Sequence, residues 1–188
     1  MNTTHLFQTI NHINPLSKGF QTYLSENLNY LQFNMGDHIP YLLPVSHTIY
    51  FIDYGITGGI RVSGYKKNTL WFADQGKFIF PEIMPSAKPF IERIEFLMPT
   101  LLIGMEMDII IQAAAAFPEA RQLLYGLSDR KLAEAHEREI FLRLSPDERF
   151  HSLVSATPAL LIYSHAPQLA SYLNISVRQL MRYKGKNH

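Results

Sequence analysis

The stretch whose reading decides the fold is Gln168-Leu169-Ala170-Ser171-Tyr172-Leu173-Asn174-Ile175-Ser176-Val177-Arg178-Gln179-Leu180-Met181-Arg182. It predicts a helix, a tight turn and a second helix. Leu169, Ala170 and Leu173 share one face of the first helix. Asn174 takes the turn position that often needs a positive φ, which Asn tolerates better than most residues. Ile175 plugs the core between the helices, and Ser176 can cap the second one. Leu180 faces inward, while Arg178, Gln179 and Arg182 face out. Residues 149–188 carry five Lys or Arg and no Asp or Glu. This is the layout of a helix-turn-helix whose second helix enters the major groove of DNA. An ordinary helical hairpin with a solvated basic end fits the same pattern. On the DNA reading, Arg178 and Arg182 are candidate base or phosphate contacts, and Val177 can touch a thymine methyl. Ser176, Gln179, Tyr183, Lys184 and Lys186 then meet phosphates.

Outward from this stretch, composition sets the limits. The 188 residues can hold one large domain or two small ones, and 47% hydrophobic content suffices for a core. The net charge is only +1, so the basic character is local, as a nucleic-acid footprint would have it. There is no cysteine, which excludes disulfides, iron–sulfur clusters, thiolate zinc sites and cysteine redox sensing. No apolar run approaches the ~20 residues that span a bilayer. The start, Met1-Asn2-Thr3-Thr4-His5, lacks a basic segment followed by an apolar one, so no signal peptide and a cytoplasmic location are expected.

The chain changes character twice. Residues 1–30 have helical spacing, and Pro15 divides them into two short helices. From Leu31 to about Met107, Phe, Ile, Tyr, Val and Thr come in short runs cut by glycine, such as His47-Ile52, Gly59-Val62, Thr69-Phe72 and Ile94-Met98. Turn signals at this spacing predict an all-β sandwich or barrel. Gly55-Ile56-Thr57-Gly58-Gly59 lacks the Lys-Ser/Thr of a phosphate loop and reads as a hairpin turn. After residue 108 helix formers dominate. Residues 119–143 contain no Pro and one Gly, and Ser145-Pro146-Asp147-Glu148 is a strong helix start. The expected organisation is a β sandwich or barrel with N-terminal helices over 1–118, a long helix over 119–143, and a helix-turn-helix unit over 144–188.

Four strings in this order resemble the Crp/Fnr family of bacterial transcription regulators. They are Tyr50-Phe51-Ile52-Asp53-Tyr54-Gly55; Thr69-Leu70-Trp71-Phe72 with Gly76-Lys77-Phe78-Ile79; Ala133-Glu134-Ala135-His136-Glu137-Arg138 followed by Leu144-Ser145-Pro146-Asp147-Glu148-Arg149-Phe150; and Leu169-Ala170-Ser171-Tyr172-Leu173-Asn174-Ile175-Ser176. The form resembled most is a short one common in Bacteroidetes. The resemblance implies an α+β chain: a double-stranded β-helix (jelly roll) like a cyclic-nucleotide-binding domain, a dimerisation helix, and a helix-turn-helix without a complete β-wing. It implies a homodimer that binds double-stranded DNA, no enzymatic activity, no cofactor, and an unidentified small-molecule effector.

The chain departs from the family in its effector pocket. Phe80-Pro81-Glu82-Ile83 resembles the family's "FGEL" segment, which makes Glu82 the candidate ribose ligand, flanked by Phe80 and Ile83. Pro81, however, removes a backbone N–H that an anion would use. The family's phosphate-binding Arg falls at Phe90, and Arg93 lies three residues later. An unpaired anion in a pocket is costly, so cyclic AMP is not expected to bind.

The family's long helix dimerises, and Leu124, Leu127, Ala135 and Leu142 are the expected contacts, with Lys131 and Arg138 interrupting the heptad. Two other readings stay open. One is a ligand sensor or adaptor that keeps the roll and has lost DNA binding. The other is a small β-barrel metal enzyme, although the eight histidines form no His-x-His or His-Glu-x-x-His pair.

Overall fold

A computed structural model describes residues 3–40, 48–63, 66–80 and 91–186. It is a mixed α+β structure with antiparallel sheets. Two N-terminal helices, α1 (Thr4–Ile13) and α2 (Lys18–Glu26), lie either side of Pro15, as its lack of an N–H requires. Ser17 caps α2 by accepting from the Phe20 N–H. Among the described residues eight strands follow: β1 (Leu28–Phe33), β2 (His38–Pro40), β3 (Thr48–Tyr54), β4 (Ile56–Ser63), β5 (Lys66–Asp74), β6 (Phe78–Ile79), β7 (Ile91–Phe96) and β8 (Thr100–Glu106). They form two four-stranded sheets, ordered β1-β8-β3-β6 and β2-β7-β4-β5.

The central strands β3 and β8 of the first sheet are largely buried on both faces, which explains their apolar runs. In β3, Ile52 joins Ile94, Phe96 and Leu102 between the sheets. Its neighbours Ile49 and Phe51 point the other way, onto Leu6, Ile10, Phe20 and Leu24 of the helices. Period-two alternation thus persists, but both sets are apolar.

Gly55 does not close a hairpin, contrary to its sequence reading. β3 and β4 belong to different sheets, and Gly55 turns the corner between them at φ 119°. An added Cβ there would lie 2.3 Å from the Thr100 Oγ1, so both the dihedral and the space demand glycine.

Helix α3 (Met107–Ala113) leads into α4 (Glu119–Arg143), which spans the residues expected for the long helix. Ala120, Leu123 and Leu127 bury one side of α4 in the core under α1 and α2. The single glycine of α4, Gly126, serves this contact: a Cβ there would come within 2.5 Å of Ile13 Cγ2.

Helices α5 (Pro146–Ala156), α6 (Leu160–Tyr163), α7 (Ala166–Tyr172) and α8 (Val177–Lys186) complete the chain. α5 starts with the expected capping box between Ser145 and Glu148. The short α6 was not legible in the sequence. These helices share an apolar core with the outer face of the second sheet, where Ile56, Leu97 and Phe72 meet Phe150, Leu153, Leu169 and Leu173.

Candidate nucleic-acid interface and effector cleft

The turn between α7 and α8 is built as the residues dictate. Asn174 sits at φ 51°. The Ile175 N–H bonds back to Ala170 O at 3.0 Å, and the Asn174 N–H to Ser171 O at 3.1 Å. That pair of bonds satisfies the last carbonyls of α7 around a left-handed residue. Ser176 Oγ then accepts from the Gln179 N–H at 3.1 Å and caps α8. Leu169, Leu173 and Leu180 are fully buried.

Of the eight expected DNA contacts, the structure separates an outward set from an inward one. Val177, Arg178 and Arg182 are exposed, and Met181 joins them at 55% exposure. Spaced i, i+1, i+4 and i+5, they share one face of α8. Tyr183 is instead buried and stacks on Phe150 with ring centroids 5.3 Å apart. Its hydroxyl accepts from Gln179 Nε2 at 3.3 Å. Lys184 Nζ donates to Leu161 O at 3.3 Å. Tyr183 is therefore corrected from a phosphate contact to a core residue, and Gln179 and Lys184 are engaged within the fold. The helix period explains it: Tyr183 follows Leu180 by three residues and so shares its inward face. Nothing is described of the Lys186 side chain.

Of the residues proposed for the effector pocket, Phe80 and Arg93 lie among the described residues. Glu82, Ile83 and Phe90 lie outside the described residues. Arg93 is bonded to Glu95, and Glu95 also accepts from Gln168 Nε2 of α7 at 2.6 Å. That guanidinium is spent on tying β7 toward α7. Phe80 is buried and lines a cleft of about 650 Å³ between β5, β6 and α4 that reaches α5 and α7.

At the α7 end of this cleft is a cluster the sequence reading missed. Arg138 stacks 3.9 Å over the Tyr172 ring and donates from Nη2 to Tyr172 O at 2.6 Å. Phe72 and Phe141 flank the same tyrosine at 5.0 and 5.6 Å. Burial holds the Arg138 pKa below the ordinary arginine value, and nearby Arg149 adds to this. Burial also raises the Tyr172 pKa, against the pull of Arg138. Arg149 is itself buried and donates to Leu142 O, Leu144 O and Asn174 O, so one side chain ties the end of α4 to the turn before α8. Arg138 and Arg149 are separated by 5 to 34 residues from the carbonyls they join, and no local motif marks such a contact. The only hint was two arginines among apolar residues.

The expected dimer contacts also divide. Leu127 is 1% exposed and Leu124 packs against the same core, so both are corrected from seam to interior. Ala135 and Leu142 are exposed, and so are Tyr125 and Leu132, at 70% and 71%. Tyr125, Ser128, Leu132, Ala135, Glu139 and Leu142 follow the alternating spacing of three and four that makes a coiled-coil stripe.

Among the described residues no group of three or more His, Asp or Glu could hold a metal ion, and no helix is long and apolar enough to cross a membrane. His47 lies outside the described residues.

No family model matches the chain, and no curated protein does. Solved structures match its fold. FixK2 from Bradyrhizobium japonicum aligns with 85% of this chain and 83% of its own, at 14% identity and a TM-score of 0.66. A CooA mutant from Carboxydothermus hydrogenoformans covers 99% of this chain and 84% of its own, at 11% identity and TM-score 0.65. A protein from Eubacterium rectale, described as a transcriptional regulator of the crp/fnr family, covers 90% and 82%, at 13% identity and TM-score 0.64. At such identities the likeness is one of fold.

Proposed function

We propose that this chain is a DNA-binding transcription regulator of the Crp/Fnr type, acting as a homodimer. The observation that carries the reading is the outward face of α8. Arg178 and Arg182 stand on it one helical turn apart, with Val177 and Met181, beyond a turn built like that of a helix-turn-helix. The fold likeness to the Eubacterium rectale regulator supports the same reading, as does the strand order, which suits a double-stranded β-helix. On this reading the role is regulatory rather than catalytic. Dimerisation through the Tyr125, Leu132, Ala135 and Leu142 stripe of α4 brings two α8 helices to two half-sites.

The test is selection of bound duplexes from random-sequence DNA, followed by gel shifts over a salt series. An inverted-repeat site is expected. Arg182→Ala should cost ~1–3 kcal/mol on that site and relax its sequence preference, because a guanidinium in the groove can bond guanine O6 and N7 together. Lys186→Ala should weaken all sequences alike and flatten the salt slope by about one. Absence of binding at any salt would reject the regulator reading in favour of a sensor or adaptor.

Cyclic AMP is not its effector on this reading. Arg93, the one candidate for its phosphate among the described residues, is held by Glu95. Low-micromolar binding of cyclic AMP in calorimetry would overturn that statement.

A further inference from the structure

The cleft between β5, β6 and α4 has a distinct end beside α7. Its wall is aromatic: Phe72 from β5, Phe141 from α4 and Tyr172 from α7. Arg138 lines it, and Lys77 and Lys131 line it further along, against the carboxylates Glu134 and Glu137. Glu134 is already bonded to Arg130. Among the described residues no carboxylate lies within ion-pair reach of Arg138, whose Nη2 is held by a backbone carbonyl and whose Nη1 is buried without a hydrogen bond. Arg149, the neighbouring guanidinium, is likewise bonded only to carbonyls among the described residues. Arg149 is buried and Arg138 half-buried, and cations drawn out of water without an anion beside them are costly to keep. An anion placed in the cleft beside Arg138 is favoured, more strongly than in water because the surroundings are less polarisable. The volume of about 650 Å³ is that of a small-molecule site.

We propose that the α7 end of this cleft binds a flat aromatic anion, its ring on the Phe72, Phe141 and Tyr172 wall and its charge beside Arg138. Arg138 also holds the last turn of α7, so such a ligand favours the arrangement in which α7 stays docked on β5. A ligand shifts an equilibrium only through such a preference. The site takes from the regulator reading only the idea of an effector. Its test contains no DNA, so failure of the gel shifts and failure of this proposal are separate results.

The probe is 1-anilinonaphthalene-8-sulfonate, with N-phenyl-1-naphthylamine as the same ring system without the charge. Titration of the full chain should give one saturable sulfonate site per chain, bound about tenfold tighter than the neutral amine, as one charge-assisted contact implies. Arg138→Gln keeps a donor for the Tyr172 carbonyl and loses the charge. It should weaken the sulfonate about tenfold and leave the amine within about twofold. Equal affinity for the two probes, no saturable site, or an unchanged sulfonate affinity in Arg138→Gln would overturn the proposal. Should that variant not fold, hydrogen exchange on the unaltered protein decides. Protection by the sulfonate over residues 131–141 and 166–174 supports the site, and protection confined elsewhere rejects it.

Discussion

The two halves of α4 are held by different forces. Its first half sets Ala120, Leu123 and Leu127 into a continuous apolar core with α1, α2 and the first sheet. Its second half buries none of its residues fully. There, Arg138 grips Tyr172 of α7, and Arg149 from α5 grips the carbonyls of Leu142, Leu144 and Asn174. Apolar burial is non-directional and scales with area, and close packing allows little partial movement. A guanidinium on carbonyls is directional and can exchange one acceptor for another. The first half is thus a fixed mount for the β-roll, and the second is a joint to the helices that carry α8.

The strongest way to break this contrast is Leu127→Ala. Removing a fully buried leucine side chain from the mount should cost ~2–5 kcal/mol, read as a lower midpoint in urea unfolding. A loss below ~1 kcal/mol would mean that the mount is loosely packed and the contrast is wrong. Next is Arg149→Met. It leaves three carbonyls without their donor and should cost ~1–3 kcal/mol. Hydrogen exchange should rise at the end of α4 and around Asn174, while α1 and α2 stay protected. A uniform rise over the whole chain would show that the joint is as integral as the mount.

Leu132→Glu sharpens the comparison by touching α4 where neither half is packed. Leu132 is 71% exposed, so folding stability should move by no more than ~0.5 kcal/mol. The effect should appear in assembly instead. The unaltered chain should sediment as a dimer at tens of micromolar (roughly, for a micromolar Kd), and the variant as a monomer. A variant that still dimerises would take the exposed stripe out of the seam.

How far the sequence could be read follows the same division. The α7–α8 turn was legible because its cues are local: Asn at the left-handed position, Ser at the cap, leucines at helical spacing. The capping box at Ser145 and the helix over 119–143 were legible for the same reason. The direction of α4's faces was not. Leu124 and Leu127 look like seam residues until α1 and α2 are in place, since an apolar residue three or four positions from another fits either a core or a coiled coil. Tyr183 failed similarly, because its hydroxyl suggests a surface role that its ring overrules. Gly55 misled because a glycine-rich corner between sheets and a hairpin turn share one composition. Arg138 and Arg149 bond to backbone carbonyls of other elements, and backbone partners leave no trace in side-chain patterning.

The smallest expected effect concerns two glutamates, one near each end of α4. Glu119 opens the helix and accepts from Ser17 Oγ of α2's cap, and that hydrogen bond lowers its pKa from the ordinary glutamate value. Glu148 lies just past the other end, where the Ser145 side chain lowers its pKa and the Ser145 N–H adds to this. In both cases the folded chain prefers the ionised form more than the unfolded chain does. Folding therefore releases protons in the acid range. The stabilisation is fully present above the unfolded glutamate pKa of about 4.3. It is lost as pH falls through the lowered folded values. Both side chains sit in water, so each contribution is small and weakened by salt. Glu119→Gln and Glu148→Gln should each lower stability slightly at pH 7, and the difference from the unaltered chain should shrink toward zero below about pH 4. The two variants also separate the halves. Glu119 links α4 to α2, so its loss should raise hydrogen exchange in the first turns of both helices. Glu148 bonds only within its own capping box, so its loss should raise exchange in α5 alone. A difference that persists unchanged at pH 3 would show that the shape of the side chain matters there and its charge does not.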